Sequence, residues 1–273
     1  MLNTTDPLFG VEGKIVVVTG GLGQLGRRFA SALAERGARV AVLDQKVDYA
    51  AAQSSVPAVA EQGMFVEADV RSRQSLLNAL SKIEDRLGTP HVLINNAAID
   101  SPPNAPASEN CGFEDYPMSS FDSVMEVNVK GVVQCCQVFG GAMSRCKRGS
   151  IVNISSVYGM VSPDQRLYEY RRLQGDDFYK PIAYSVSKSS LFNLTRYLAT
   201  YWAPRNIRVN TLSFAGVFND QNPAFLAAYT PKVPLGRMAT ADDYQGAVVF
   251  LASDASSYMT GANLVIDGGF TAW

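Results

Sequence analysis

The chain has 273 residues, 47% of them hydrophobic, and its 24 Lys plus Arg residues nearly balance 25 Asp plus Glu residues. This size and composition suit one large α/β domain or two small ones. The charge balance argues against a nucleic-acid or anionic-membrane partner, and no apolar run reaches the ~18 residues that span a bilayer. The four cysteines lack metal-ligand spacing, so we expect no metal, and reduced thiols as in a cytoplasmic protein.

Short β-branched runs alternate with amphipathic runs along the chain. A strand (14–21), a helix (27–37) and a second strand (39–44) make a βαβ unit with parallel strands and a right-handed crossover. The pattern continues with further strands at 64–70, 91–98, 150–156, 207–213 and 263–269, and with helices at 75–88, 121–144 and from Tyr184. This alternation predicts an α/β fold, a Rossmann-type doubly wound parallel sheet of seven strands with helices on both faces, in a single domain of residues 1–273.

Two segments interrupt the alternation. Residues 100–120 are rich in Pro and Ser, and residues 162–181 separate the fifth strand from the next helix. Loops of this length in a compact domain are usually functional or mobile. The second segment carries several tyrosines and the cations Arg166, Arg171, Arg172 and Lys180, which would suit a phosphate, a carboxylate or a sugar ring on the substrate side. A solvated loop with nearly balanced charges is the alternative interpretation.

A glycine-rich turn, TGGLGQLG at 19–26, joins the first strand to the first helix. Glycines at such a turn let the backbone approach a pyrophosphate at the positive end of a helix. A glycine turn is often only a turn, but its place inside an N-terminal βαβ unit favours dinucleotide binding. The expected contacts are Gly20, Gly23, Gln24 and Leu25.

Asp44 ends the second strand, eighteen residues after Gly26. An acidic side chain at this position can accept hydrogen bonds from the adenosine ribose and would repel a 2′-phosphate. The glycine turn contains no Arg or Lys that would bind such a phosphate. The sequence therefore predicts NAD rather than NADP, with an aspartate that merely begins a turn as the alternative.

Tyr184 and Lys188 lie four residues apart in YSVSK, at the start of a helical pattern, so both should lie on one helix face. A nearby ammonium group would lower the pKa of the phenol from its usual value of about 10 and fit it to exchange a proton with an alcohol or ketone. Taken alone, this spacing also arises by chance.

In combination and in this order, the motifs are highly specific. The glycine turn and YSVSK are accompanied by Asp69-Val70, NNAA at 95–98, Asn128 in EVNVKG, Ser156 in IVNISS, IRVNTLS at 207–213 and the C-terminal segment that begins at Pro234. The whole chain resembles the classical short-chain dehydrogenase/reductase family.

The resemblance implies a role for each matching residue. Tyr184 would be the catalytic acid/base, Lys188 would lower its pKa and hold the nicotinamide ribose, and Ser156 would orient the substrate oxygen. Asn128 would hold a water molecule for proton relay through Lys188. Further cofactor contacts would come from Asp69, Val70, Asn96, Ala97, Val217 and Asn219.

The chain departs from the family pattern in four places. Gln24 occupies the position of the middle glycine, Phe214-Ala215 replaces the usual Pro-Gly, and Asn219 stands where a threonine is common. Between Ser156 and Tyr184 the chain carries on the order of fifteen extra residues, enough for a cover or a pocket wall.

The long insert, VFNDQNP after the sixth strand and the terminal GGFTAW are similar to a bacterial subgroup associated with flagellin glycosylation and nonulosonic (legionaminic) acid pathways. We therefore predict an NAD-dependent oxidoreductase that interconverts a secondary alcohol and a ketone of a sugar-like or nucleotide-linked sugar metabolite. A 3-oxoacyl thioester reductase usually prefers NADPH, which Asp44 disfavours. A non-catalytic dinucleotide sensor is disfavoured because all four catalytic positions match. The resemblance further implies a homotetramer or homodimer, packed through residues 237–273.

Overall fold

The computed structural model describes residues 6–100 and 110–273. Its seven strands are β1 (Ile15–Thr19), β2 (Arg39–Asp44), β3 (Met64–Glu67), β4 (Val92–Asn95), β5 (Gly149–Ser156), β6 (Ile207–Phe214) and β7 (Asn263–Ile266). They form one sheet in the order β3-β2-β1-β4-β5-β6-β7, and every neighbouring pair is parallel. The predicted seven-stranded, doubly wound sheet is confirmed.

Helices connect the strands. They are α1 (Gln24–Ala34), α2 (Tyr49–Ser55), α3 (Pro57–Gln62), α4 (Arg73–Arg86), α5 (residues 118–146), α6 (Glu169–Arg172), α7 (Ile182–Trp202), α8 (Pro223–Tyr229) and α9 (Gln245–Ala252). The sequence pattern did not indicate α2 and α3, which are short; Asp48 caps the first and Pro57 begins the second. Within α5, two segments are wound more widely, as π-helix, at Glu126–Gly131 and Cys136–Gly140.

The helices cover both faces of the sheet, as predicted. Along β1, Val16 and Val18 face one side and Val17 faces the other, as the two-residue period of a strand requires. Val16 and Val18 pack in the layer that contains α1 and α9, whereas Val17 packs in the layer formed by α4, α5 and α7. No helix in the described residues is both long and apolar enough to cross a bilayer.

The strands end earlier than the sequence pattern predicts at two functional positions. β3 ends at Glu67, which pairs with Asp44 at the end of β2, and β4 ends at Asn95. The predicted site residues of 68–70 and 96–98 therefore lie in loops. All of these loops leave the carboxyl edge of the sheet, next to the β1–β4 position where the strand order reverses and where such sheets bind ligands.

The segment 162–181 is folded against itself. Its first turn is a 3₁₀ helix, Gln165–Tyr168, which leads into α6. The Arg172 guanidinium donates to the carbonyl oxygens of Gln165 (2.9 Å) and Phe178 (2.8 Å) and so ties both ends of the segment together. Arg171 pairs with Asp176 and lies 3.8 Å from the centre of the Phe178 ring. The other predicted loop, 100–120, lies in part outside the described residues, at 101–109.

His91, the only histidine of the chain, lies at the amino end of the sheet. Its Nδ1 atom accepts a hydrogen bond from the Ile15 amide (2.9 Å), and its Nε2 atom contacts the Arg148 guanidinium. Burial, and then the positive charges of Arg148 and Lys14, lower the pKa of His91 to about 4.

Replacing His91 with Asn should make the fold less sensitive to acid. The unfolded chain gains a proton on His91 below pH ~6.5, but the folded chain gains it only near pH 4. The wild-type protein therefore loses stability as the pH falls through this interval. Urea unfolding at pH 7 and at pH 5 measures the effect: the loss of unfolding free energy between the two should be smaller in His91→Asn. Equal losses in both proteins would contradict the lowered pKa.

Candidate active site

The turn after β1 is shaped by glycines that have no room for a side chain. Gly20 has a φ of +59°, and a Cβ atom there would lie 2.8 Å from the Ala97 Cα atom. At Gly26 a Cβ atom would lie 2.3 Å from the Gly20 carbonyl oxygen. No side chain caps the first amides of α1, which begins at Gln24. This open cradle at a helix N-terminus fits the pyrophosphate of a dinucleotide.

Gln24 is compatible with this turn. Gly23 is the extended residue that precedes α1, so Gln24 is the first helical residue and needs no glycine geometry. Its side-chain amide donates to the Phe218 carbonyl (2.8 Å) and links the turn to the segment after β6. The turn therefore keeps its open shape although the middle glycine of the motif is at position 23 and Gln24 follows it.

The Asp44 carboxylate is held beside the glycine turn. One oxygen accepts a hydrogen bond from the Leu22 amide (3.1 Å) and the other from the Gln45 amide (2.9 Å). A carboxylate oriented in this way at the end of β2 suits the ribose hydroxyls of NAD.

Asn96 and Ala97 support the turn from β4. The Asn96 side chain donates to the carbonyl oxygens of Thr19 (3.1 Å) and Gly20 (3.0 Å). The backbone amides of Asn96 and Ala97 both donate to the Thr19 hydroxyl, each over 3.1 Å. Thr19 was not among the predicted site residues, although it begins the glycine motif.

The remaining predicted cofactor residues lie on the same edge of the sheet. Asp69 is bound by the Arg71 guanidinium (2.7 Å), which lowers the pKa of its carboxyl group. Val70 packs so closely on α5 that a Cβ atom at Gly131 would lie 2.9 Å from its side chain. Val217 and Asn219 line the cavity described below, as does Leu25.

Three of the four predicted catalytic side chains converge. Tyr184 and Lys188 are in the first two turns of α7, and the Ser156 hydroxyl at the end of β5 is close enough to the Tyr184 phenol to lower its pKa. The Lys188 ammonium is buried, donates to the Ile154 carbonyl (2.9 Å) and lies 5.6 Å from the centre of the Tyr184 ring.

The sequence pattern predicted that Lys188 lowers the pKa of Tyr184, but in the structure the pKa of Tyr184 is raised. Burial, and then the Asp100 carboxylate, raise the pKa of Tyr184 above its ordinary value, while the hydrogen bond from Ser156 lowers it. Burial also lowers the pKa of Lys188 to about 8. Burial disfavours both the Tyr184 phenolate and the Lys188 ammonium. This effect exceeds the attraction between the two charges that the sequence pattern led us to expect.

Asn128 occupies the π-helical part of α5, a form of helix that is frequent at functional sites. Its side-chain oxygen accepts from the Ile99 amide (2.8 Å), and its side-chain nitrogen donates to the Ile99 carbonyl (2.9 Å) and to the Ser187 hydroxyl (3.0 Å). The side chain thus joins the loop after β4 to α7, beside Lys188. The predicted water relay through Lys188 stays a prediction.

Polar contacts that the sequence did not indicate fix α7 on the sheet. The Ser155 hydroxyl donates to the Lys188 carbonyl (2.8 Å). One turn from the middle of α7, the Thr195 hydroxyl accepts from the Asn153 side chain (2.9 Å) and from the Thr211 hydroxyl (2.8 Å). The position of the Tyr184 phenol therefore depends on β5 and β6 as well as on its own helix.

A cavity of about 500 Å³ opens beyond the carboxyl ends of β5 and β6. Ser156, Tyr184 and Lys188 line it. The segment 162–181 supplies one wall through aromatic and cationic side chains, namely Tyr168, Tyr170, Arg171, Phe178 and Lys180. Tyr158 and Asp100, which were not among the predicted site residues, also line it.

Comparison with known proteins agrees with this architecture. A family model described as enoyl-(acyl carrier protein) reductase matches residues 20–271. The chain belongs to the classical short-chain dehydrogenase/reductase family. It is therefore an oxidoreductase, as the motifs predicted.

The chain matches known members of the family over nearly its whole length and theirs. D-threitol dehydrogenase of Mycolicibacterium smegmatis is 32% identical, over 96% of this chain and 95% of that protein. Galactitol 2-dehydrogenase of Rhizobium johnstonii is 33% identical, over 97% of this chain and 98% of that protein. A crystal structure of a short-chain dehydrogenase from Leptospira borgpetersenii with bound NAD⁺ has a TM-score of 0.83 and 32% identity, covering 99% of this chain and 98% of that one.

Replacing Lys188 with Met should stabilise the dehydrogenase without added NAD. The pKa of about 8 in the folded chain lies below the ordinary 10.5, so burying the ammonium near neutral pH costs about 3 kcal/mol. Between these values the unfolded chain binds a proton that the folded chain does not, and wild-type stability rises with pH. Unfolding free energies should therefore favour Lys188→Met near pH 7, and less so near pH 9.5.

Lys130→Met is the matched control, because Lys130 is exposed and pairs with Glu126 on its own helix. This variant should change the unfolding free energy by less than about 0.5 kcal/mol at either pH. A Lys188→Met protein that is less stable than wild type at both pH values would contradict the cost assigned to the buried ammonium.

Proposed function

We propose that this protein is an NAD-dependent dehydrogenase that interconverts a secondary alcohol and a ketone of a neutral, sugar-derived polyol. The convergence of Ser156, Tyr184 and Lys188 in one cavity, at the sheet edge that also carries the glycine cradle and Asp44, is the observation that supports it most strongly. The named activities of the relatives, which act on threitol and galactitol, support the polyol substrate class.

Each residue has a part in alcohol oxidation. NAD supplies the acceptor for the hydride from the carbinol carbon. Tyr184 removes the hydroxyl proton of the substrate, and Ser156 donates a hydrogen bond that holds the same oxygen. Lys188 places a positive charge beside the Tyr184 phenolate that accepts this proton, and Asn128 holds the backbone around Ile99 against α7. In the reverse direction Tyr184 returns the proton to the ketone oxygen.

The charges of the cavity favour a neutral substrate. Among the described residues that line it, the cations are Arg171, Lys180 and Lys188, and each already has a partner. Arg171 pairs with Asp176, Lys180 pairs with Asp100, and Lys188 binds a backbone carbonyl. A sugar phosphate or a nucleotide-linked sugar would have to displace these partners, whereas polyol hydroxyls hydrogen-bond with them.

An acyl thioester substrate is the second candidate, because the matching family model is described by an acyl carrier protein reaction. Such reductases usually prefer NADPH, and the Asp44 carboxylate beside Leu22 disfavours a 2′-phosphate. A non-catalytic sensor is a weaker candidate, because all four residues of the catalytic set are present.

We also propose a cytoplasmic homotetramer or homodimer that assembles through residues 237–273. Two aromatic side chains in this segment, Tyr258 and Trp273, are largely exposed in the single chain. An interface would remove these apolar surfaces from water.

Calorimetry with NAD⁺ and NADP⁺ on the wild-type protein and on Asp44→Ala tests the cofactor assignment. The wild type should bind NAD⁺ at least about 10-fold more tightly than NADP⁺, because the carboxylate binds ribose hydroxyls and repels phosphate. Asp44→Ala should lose most of this preference. Asp48→Ala is the control: Asp48 is also an aspartate after β2, but it caps α2. Tighter binding of NADP⁺ than of NAD⁺ by the wild type would contradict the cofactor assignment and favour an acyl thioester substrate.

Tyr184→Phe should reduce NAD-dependent oxidation of D-threitol or galactitol by at least about 10³-fold, with NAD⁺ affinity within about threefold of wild type. Wild-type oxidation should speed up as the pH rises from 6 to 7.5, because the raised pKa of Tyr184 keeps the phenol protonated in this interval while Lys188, with a pKa of about 8, stays charged.

Tyr170→Phe is the matched control, since Tyr170 lines the same cavity from the segment 162–181; it should retain activity within about tenfold. Turnover that survives in Tyr184→Phe would contradict the assigned acid/base. A 3-oxoacyl thioester and a nucleotide-linked sugar belong in the same substrate panel, because preferred turnover of either would replace the polyol assignment.

A further inference from the structure

A second lysine lies beside the Tyr184 phenol. The Lys180 ammonium is 5.1 Å from the centre of the Tyr184 ring, slightly closer than the Lys188 ammonium at 5.6 Å. Lys180 belongs to the segment 162–181 and is not one of the four residues that the family motif supplies. Only 9% of its side chain is exposed, although it lines the catalytic cavity.

Lys180 is held by Asp100, which lies 80 positions away in the loop after β4. Both residues line the cavity, and 40% of the Asp100 side chain is exposed there. The carboxylate is close enough to Tyr184 to contribute, after burial, to the raised pKa of the phenol. The pair therefore places a hydrogen-bond donor and an acceptor next to the group that would remove the substrate proton.

The backbone around Lys180 fixes the pair in place. The Lys180 amide donates to the Gln165 side-chain oxygen (2.9 Å), and the Gln165 side-chain nitrogen donates back to the Lys180 carbonyl (3.1 Å). Arg172 binds the carbonyl of the same Gln165. A lysine that only screened charge on a solvated loop would not need this two-way clamp or such deep burial.

We propose that the Asp100–Lys180 pair recognises the hydroxyl group on the carbon next to the reacting carbon, and so selects vicinal diols. A diol whose first hydroxyl contacts Tyr184 and Ser156 presents its second hydroxyl within reach of the pair. That hydroxyl donates to the carboxylate and accepts from the ammonium. A substrate without that hydroxyl would make neither of these two hydrogen bonds, and the Lys180 ammonium is buried deeply enough for such a loss to discriminate between substrates. This inference rests on the proposed dehydrogenase function.

The test compares 2,3-butanediol with 2-butanol, which differ only in the second hydroxyl group, as substrates with NAD⁺. In the wild type, kcat/KM should be at least about 10-fold higher for the diol. Lys180→Met should lower kcat/KM for the diol by about 10- to 100-fold, mainly through KM, and change that for 2-butanol by less than about threefold. Lys180→Arg, which keeps the cation, should restore most of the diol preference.

Arg166→Gln is the matched control, because Arg166 is a cation of the same segment that pairs with Asp164, is 82% exposed and does not line the cavity. This variant should leave kcat/KM unchanged for both substrates. An equal loss for both substrates in Lys180→Met would show a structural role and overturn the proposal, as would an unchanged diol preference. If the wild type oxidises neither of these alcohols nor D-threitol, the proposed function itself fails. If it oxidises them without preferring the diol, only the recognition by Asp100–Lys180 fails.

Discussion

The structure of the site depends on one buried charge, the ammonium of Lys188. A lysine this deeply buried loses hydration, which lowers its pKa to about 8. The Ile154 carbonyl, which accepts its hydrogen bond, and the negative charge of Asp100 compensate in part. The surrounding contacts fix its position closely: Ser155 binds its carbonyl, and a Cβ atom at Gly159 would lie 2.8 Å from its backbone. In the proposed mechanism, this cost is the consequence of placing a cation rigidly beside Tyr184 for proton transfer.

The parallel sheet explains how residues distant in sequence meet around that charge. All seven strands point the same way, so the glycine turn, Asp44, Asn96 and Ser156 all follow strands at one edge. Hydrogen bonds between these loops then set the finer geometry. For example, the Thr19 hydroxyl accepts hydrogen bonds from two backbone amides of the loop after β4. The end of β1, where the glycine turn begins, and the loop after β4 are therefore joined by hydrogen bonds at this edge of the sheet.

The strands and the main motifs could be predicted from sequence because each depends on local pattern: β-branched runs, glycines at a turn, or a four-residue helical spacing. The short helices α2 and α3 escaped prediction because two turns carry little periodicity. The direction of the Tyr184 pKa also escaped, because it depends on desolvation and on Asp100 from another loop. Likewise, the arginines of the segment 162–181 looked like ligands for anions, but Arg172 binds backbone carbonyls that no sequence pattern reveals.

In the proposed function, that distinction among the cations gives the inserted segment a role in substrate specificity rather than in proton transfer. Arg172 and Arg171 are used to fold the segment, and Arg166 stays at the surface with Asp164. Lys180 alone is carried by this folding to the Tyr184 ring. In the proposed function, the proton-transfer residues come from the sheet and α7, whereas Lys180 comes from a segment with its own internal hydrogen bonds. Changes in that segment can thus alter which alcohol is accepted while the position of Tyr184 is maintained by β5, β6 and α7.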